Sequence, residues 1–208
     1  MIGIKKILEL QKEKINPDIE LVTRVKKQLK EFILKLNKEI KKNKIKTEVF
    51  VGGSFAKGTV IKKDIYEIDL FLRFDSQYRD KLSEISENLI KKTAKNYLKL
   101  HGSRDYFQIN IDKNVVIEII PVVKISKPKN AENITDLSYF HVNYVKSALK
   151  KNKKLGDEIK IAKAFTHAQN CYGAESYIKG VSGYALELLI IHYKGFEKFL
   201  REIVKAKD

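Results

Sequence analysis

The 208-residue chain holds one cysteine, Cys171, and three prolines. A lone cysteine excludes an internal disulfide framework and points to a reducing, cytoplasmic setting. The prolines and the ten glycines stand as punctuation, with no repeat or low-complexity tract between them. Long apolar runs are missing too. The most apolar stretch, Tyr184 to Tyr193, is too short to span a bilayer and carries Glu187. The opening Met1-Ile2-Gly3-Ile4-Lys5-Lys6 lacks the apolar core of a signal peptide, so no membrane partner is expected. Acidic residues are outnumbered, 26 against 42 basic ones, which leaves a formal charge of +16 and a pI near 9.6. That balance suits a polyanionic partner, nucleic acid or a membrane surface. Lysine dominates it (37 Lys against 5 Arg), and an AT-rich genome also produces that mix, so charge alone selects no ligand. At 43% hydrophobic and 33% charged residues, the composition is that of a soluble globular protein of one domain or two small ones.

Residues 2 to 14 read as an amphipathic helix, and Asn16-Pro17 as the cap and first position of a second. That second helix runs to about Asn43, with Leu21, Val25, Leu29, Phe32, Ile33, Leu36 and Ile40 on one face. The period then changes to two at Thr47 to Val51, a strand ending on Gly52-Gly53. A second strand spans Ile65 to Phe74. Ile68, Leu70, Leu72 and Phe74 face one way, and Glu67, Asp69, Phe71 and Arg73 the other. Helix is expected over 77–100, then a hairpin of Tyr106 to Ile111 and Val115 to Ile125. Four helices follow, near 136–151, 155–170, 182–193 and 195–205. Strands in the first part and helices in the rest predict an α+β head, residues 1–128, and an all-helical lobe, residues 129–208. The boundary is expected between Ser126 and Asn133.

The chemistry-bearing residues lie mostly in the head. Gly52-Gly53-Ser54-Phe55-Ala56-Lys57-Gly58-Thr59 follows a strand, and its amides suit an anion nest, although Gly-Gly-Ser alone is more often a turn. Glu67 and Asp69 share one strand face, roughly 6–7 Å apart by the strand rise. Such a pair suits divalent cations about 3.5–4 Å apart, or else is a solvated acidic face. Glu118 sits inside the apolar Val115 to Val123 and needs a cation, a basic partner or a raised pKa. Three acids on two apolar strands beside a Gly-Gly-Ser turn favour metal-assisted phosphoryl chemistry.

Gly-Gly-Ser, then Glu-x-Asp, then an acid on a later strand resembles the nucleotidyltransferase superfamily of DNA polymerase β. Val51 to Thr59, Glu67 to Leu72 and Ile117 to Pro121, with Cys171-Tyr172-Gly173-Ala174-Glu175 and Gly180 to Ile190, narrow the resemblance to the archaeal (class I) CCA-adding tRNA nucleotidyltransferases. The resemblance implies a polymerase-β-like nucleotidyltransferase head, a small mixed sheet with flanking helices, and a neck-like nucleotide-binding lobe. It implies two Mg2+ ions held by Glu67, Asp69 and Glu118, the last standing where the family usually has Asp. Gly53, Ser54 and Lys57, with Lys163 and Tyr172, would meet the triphosphate; Ser138 and His141 would meet the sugar and base. Read without the resemblance, Lys163 is a solvated helix lysine, Tyr172 a core or helix-end aromatic and His141 a cap.

The implied activity is template-independent addition of CMP and AMP, from CTP and ATP, to a tRNA or tRNA-like RNA 3′ end. The alternatives are a stand-alone nucleotidyltransferase with another acceptor, or a non-catalytic RNA-binding subunit. Lys146, Lys150, Lys151, Lys153, Lys154 and Lys160 form either an RNA-backbone patch or a solvated connection. The family's tRNA-gripping domains have no counterpart in the sequence, so a homodimer or a companion chain is expected to supply them.

Overall fold

The computed structural model describes residues 3–205, so Ile2, the start of the expected first helix, lies outside the described residues. Helix α1 covers Ile4–Ile15. Asn16 closes it, giving its N–H to the Lys12 carbonyl, and the expected cap at Asn16-Pro17 is corrected to Asp18. The Asp18 carboxylate accepts the Glu20 N–H at 2.7 Å and starts α2, Ile19–Lys42. Pro17 thus precedes the cap, where its missing N–H leaves no helical bond unmade. The predicted face of α2 is the buried one: Val25, Leu29, Phe32, Leu36 and Ile40 enter the core, with Leu21 and Ile33 at its margin.

Five strands form one sheet: β1 Thr47–Val51, β2 Tyr66–Phe74, β3 Leu98–Leu100, β4 Tyr106–Asp112 and β5 Val115–Val123. Their order is β1-β2-β5-β4-β3, with β2 and β5 parallel and every other pair antiparallel. Ile68, Leu70 and Leu72 of β2 and Ile117 and Ile119 of β5 are fully buried in one core with α2 and with α4, Leu82–Thr93. Glu67, Asp69, Phe71 and Arg73 lie on the other face, as the alternation requires. Pro121 stands in β5 beyond Ile119, the last residue paired with β4, so its absent N–H breaks no ladder there.

The helix expected over 77–100 is shorter. A 3-10 turn at Ser76–Lys81 leads into α4, Ala94 is extended, and Leu98-Lys99-Leu100 pairs with Tyr106–Gln108 as the edge strand β3. Sheet pairing overrides local helix preference in that short segment. The C-terminal helices are α5 Ser138–Lys151, α6 Lys154–Ala168, α7 Gly183–Tyr193 and α8 Phe196–Lys205; α3, Gly53–Lys57, follows β1. Among the described residues no helix is long and apolar enough to cross a membrane.

The chain divides into two units, and neither is a continuous stretch. One, Asp18–Ala56 with Lys63–Val142, contains the sheet; the other is Met1–Pro17, Lys57–Lys62 and Asn143–Asp208. The single boundary expected near 128 therefore differs from the division by contacts. Residues 129–142 stay with the sheet, where Asp136 accepts the Val123 N–H at 2.9 Å. Leu8 and Ile15 of α1 instead pack against the helical core of Leu155, Ile159, Leu186, Ile190 and Phe199.

A surface cluster ties α4 to β3 and β4. Glu87 is held down to about 2 from its ordinary 4.5, first by the hydrogen bond from Lys91, then by those from Lys99 and Tyr97. Asp105 is likewise lowered to about 2, first by the Ser83 hydroxyl. Both folded values lie below the unfolded ones, so their stabilisation is present above about pH 4.5 and lost as pH falls toward 2. The double substitution Glu87→Gln/Asp105→Asn should flatten the decline of Tm between those pH values, modestly because the cluster is exposed. A decline as steep as wild type would remove these carboxylates from the acid transition.

Candidate active site

The site begins where β1 runs out. The Gly52 N–H donates to the Asp69 carbonyl at 2.8 Å and pins the turn alongside β2. Gly53 has φ +60°, and a Cβ placed there would run into the Asp69 carboxylate; one on Gly52 would run into the Phe71 ring. Close approach to β2 is thus what demands both glycines. Helix α3 starts at Gly53 and sets Ser54, half-buried, on its first turn.

Asp69 and Glu118 are register partners across the parallel pair, so their side chains leave the same face of adjacent strands. Both are half-buried, and Gln108, opposite Glu118 on β4, donates its amide to Glu118 at 2.7 Å. A cleft of about 330 Å³ opens over this face, lined by Asp69, Phe71, Glu118 and Ile120, with Arg104 and Ser138 among its other walls. Arg104 is fixed there by a two-pronged pair with Asp136, whose carboxylate is fully buried. Asp136 also accepts the N–H groups of Val123 and Asn133. His141 lies one turn after Ser138 on α5, half-buried.

Glu67 shares the face of Asp69 but is exposed, with its carboxylate 3.9 Å from the Lys63 ammonium. Among the described residues, no three His, Cys, Asp or Glu side chains are gathered to enclose a metal ion. The donors nevertheless suit one class of ion. Carboxylate oxygens alone fit a hard divalent cation of the magnesium type and not a soft thiophilic one.

Lys57, Lys163 and Tyr172 belong to the other unit. Lys163 is not a solvated helix lysine: it is 3% exposed and its ammonium donates to Glu187 Oε1 at 2.8 Å. Lys57 donates to Glu187 Oε2 at 2.6 Å, and the buried Thr59 hydroxyl donates to Oε1 at 3.0 Å. Tyr172 stacks on His167 with ring centroids 4.0 Å apart, and its hydroxyl lies against Gly183 at the start of α7. Of the six patch lysines, Lys146, Lys150, Lys151, Lys153 and Lys154 are exposed. Lys160 is half-buried and bound to Asn16 at 2.9 Å.

Glu187, Thr59, Gln108, Arg104 and Asp136 were not legible as site-building residues. Glu187 left one signal, a lone acid within the most apolar helix. Thr59 stood at the end of the Gly52–Thr59 segment without a role of its own, and the other three gave no signal, because each is defined by a partner distant in sequence.

Residues 26–161 match the family model described as nucleotidyltransferase domain, and residues 157–208 match the one described as tRNA nucleotidyltransferase, second domain. The CCA-adding enzyme of Nanoarchaeum equitans is 47% identical over 77% of this chain and 39% of its own length. That of Saccharolobus islandicus is 33% identical over 99% of this chain and 42% of its own. That of Methanocaldococcus jannaschii is 32% identical over 97% and 45%. The chain thus spans less than half the length of these relatives. Among solved structures, E. coli MS115-1 CdnC with ATP superposes with a TM-score of 0.72 at 16% identity, over 97% of this chain and 70% of that one. The Cid1 poly(U) polymerase with Mg and 3′-dATP gives 0.69 at 15% identity, over 90% and 54%. At such identities the likeness is one of fold, the polymerase-β-like α+β fold with a mixed sheet that the sequence predicted.

The Gly53–Asp69 contact makes a measurable prediction. Gly53→Ala should lower stability by about 1–3 kcal/mol, from the left-handed backbone and the blocked carboxylate. Asp69→Ala in the same chain should recover part of that loss, a coupling of about 0.5 kcal/mol or more in urea melts. Strict additivity would mean the two residues do not meet.

Proposed function

The chain belongs to the nucleotidyltransferase-domain family, and on that premise we propose that it adds CMP and AMP, from CTP and ATP, to the 3′ end of tRNA. The observation that carries this reading is the pairing of Asp69 with Glu118 in register, at a cleft beside Gly53-Ser54. The family uses divalent metal ions, and we assign two Mg2+ to Glu67, Asp69 and Glu118. When bound, such ions lower the pKa of the acceptor hydroxyl and offset charge building on the phosphates.

The chain's own residues supply the rest. Gln108 orients Glu118 by donating its amide to the carboxylate. Gly53 and Ser54 receive the triphosphate, and Lys57, Lys163 and Tyr172 are assigned to it by the resemblance. Ser138 and His141 take the sugar and base, with Ser138 already on the cleft wall. The acceptor 3′-oxygen forms a bond to the α-phosphorus while the bond from that phosphorus to the β-bridging oxygen breaks. Pyrophosphate leaves with the electron pair, and the 3′-hydroxyl proton passes to solvent. The one-cysteine composition agrees with work in the cytoplasm.

The catalytic assignment is tested with tRNA lacking its terminal CCA, Mg2+ and each labelled nucleoside triphosphate in turn. CTP and ATP should be incorporated, and GTP and UTP far less. Asp69→Ala should bring incorporation to background with Tm held or raised, because Glu118 loses the like charge of its register partner. Normal incorporation by the folded variant would overturn the assignment.

Acceptor binding is assigned to the exposed lysines between 146 and 154, which contact phosphates rather than bases. We assign the remaining grip on tRNA to surface outside these 208 residues, in the same chain, a second copy or a companion chain. The isolated chain should therefore bind RNA weakly, with affinity falling steeply as salt rises and differing little between tRNA and other RNA of equal length. Salt-resistant, tRNA-selective binding by a monomer in filter or anisotropy titrations would contradict this.

A further inference from the structure

Glu187 is fully buried on α7, beside Leu186 and Ile190, which are equally buried. A carboxylate is a costly choice there, since well-packed apolar side chains commonly replace buried ion pairs without loss of stability. What it touches explains the choice. One carboxylate oxygen holds the ammonium of Lys57, the last residue of α3, at 2.6 Å. The other holds the ammonium of Lys163, on α6, at 2.8 Å. Thr59 closes the set, donating its hydroxyl to Glu187 and accepting from Lys163, each at 3.0 Å.

We infer that Glu187 is a positioning residue that fixes Lys57 and Lys163 as a paired ammonium receiver for the nucleotide's triphosphate. The inference rests on the assignment of both lysines to the triphosphate in the function proposed above. Two ammonium groups brought together without a counter-charge repel and swing apart on flexible four-carbon stems. A carboxylate fork between them sets their spacing and removes that repulsion, and Thr59 holds Lys163 from a second side through its hydroxyl and carbonyl. The ordering of two long side chains is then completed on folding rather than on binding, which strengthens the grip on the anion they meet. Glu187 itself touches no phosphate in this scheme.

The test measures binding of ATP and of CTP, each with Mg2+ and without acceptor RNA, to the full chain, and then the KM values for nucleotide and acceptor. Glu187→Gln keeps the shape and removes the charge. Its nucleotide Kd and KM should rise about tenfold, the usual cost of losing a supporting partner behind a ligand, while the KM for acceptor RNA stays near wild type. Glu187→Asp keeps the charge but falls one methylene short, and should also weaken nucleotide binding, by less. Unchanged or tighter nucleotide binding in a folded Glu187→Gln overturns the inference. If that variant does not fold, unchanged binding in Glu187→Asp overturns it instead. Lys163→Met separates the two levels of the argument. Unchanged nucleotide binding in Lys163→Met would remove the lysine from the triphosphate site and with it the underlying reading. Weakened binding in Lys163→Met with wild-type binding in both Glu187 variants would defeat the positioning role alone.

Discussion

The parallel pairing of β2 with β5 is the constraint from which the sheet unit follows. It runs in register from Tyr66 opposite Val115 to Phe74 opposite Val123. Parallel neighbours cannot be joined by a tight turn, so the chain between them must leave and return; it does so through α4, β3 and β4. The same register places Ile68 beside Ile117 and Leu70 beside Ile119 under α2 and α4. On the opposite face it places Asp69 beside Glu118. A slip of β5 by one residue would turn Glu118 into the apolar core, so the packing of four aliphatic side chains enforces the pairing of two carboxylates.

Buried charges recur, each with partners in place. Arg73, 5% exposed, pairs with Glu48 and lies 3.7 Å over the ring of Tyr139. Asp136 gathers Arg104 and two backbone N–H groups, one of them from the part of β5 that extends past the end of β4. Lys57, Lys163 and Thr59 gather on Glu187. Such groups contribute little net stability compared with an apolar packing, but deleting one member strands the rest. Their value lies in geometry: each fixes a cationic side chain, and Arg104 is fixed at the wall of the acid-lined cleft.

Much of this was legible locally. The period of two in β2, the apolar stripe of α2, the hairpin of β4 and β5 and the four C-terminal helices all stand where residue patterns put them. Patterns failed where another segment decided. Leu98-Lys99-Leu100 continues a helical pattern until β4 offers an edge, and three residues are too few for local preference to resist. Asn16 and Asp18 are both acceptable caps, and only the path of the chain chooses Asp18. Asp136, bonded back to Val123 and Arg104, and Leu8 and Ile15, packed on C-terminal helices, are joined to partners that no local pattern announces.

The sequence by itself determined the strands and helices other than β3, the face on which Glu67 and Asp69 stand, the family resemblance and the need of Glu118 for company. Those properties depend on side-chain period and chemistry, which a few adjacent residues carry. Only the tertiary structure decided that Glu118 stands opposite Asp69 and takes its hydrogen bond from Gln108, that Gly53 must lack a side chain because Asp69 lies against it, and that Lys163 is buried on Glu187. Each of those facts joins residues far apart along the chain. The backbone between them is held by packing and pairing over the whole core, so no local window of residues contains the information.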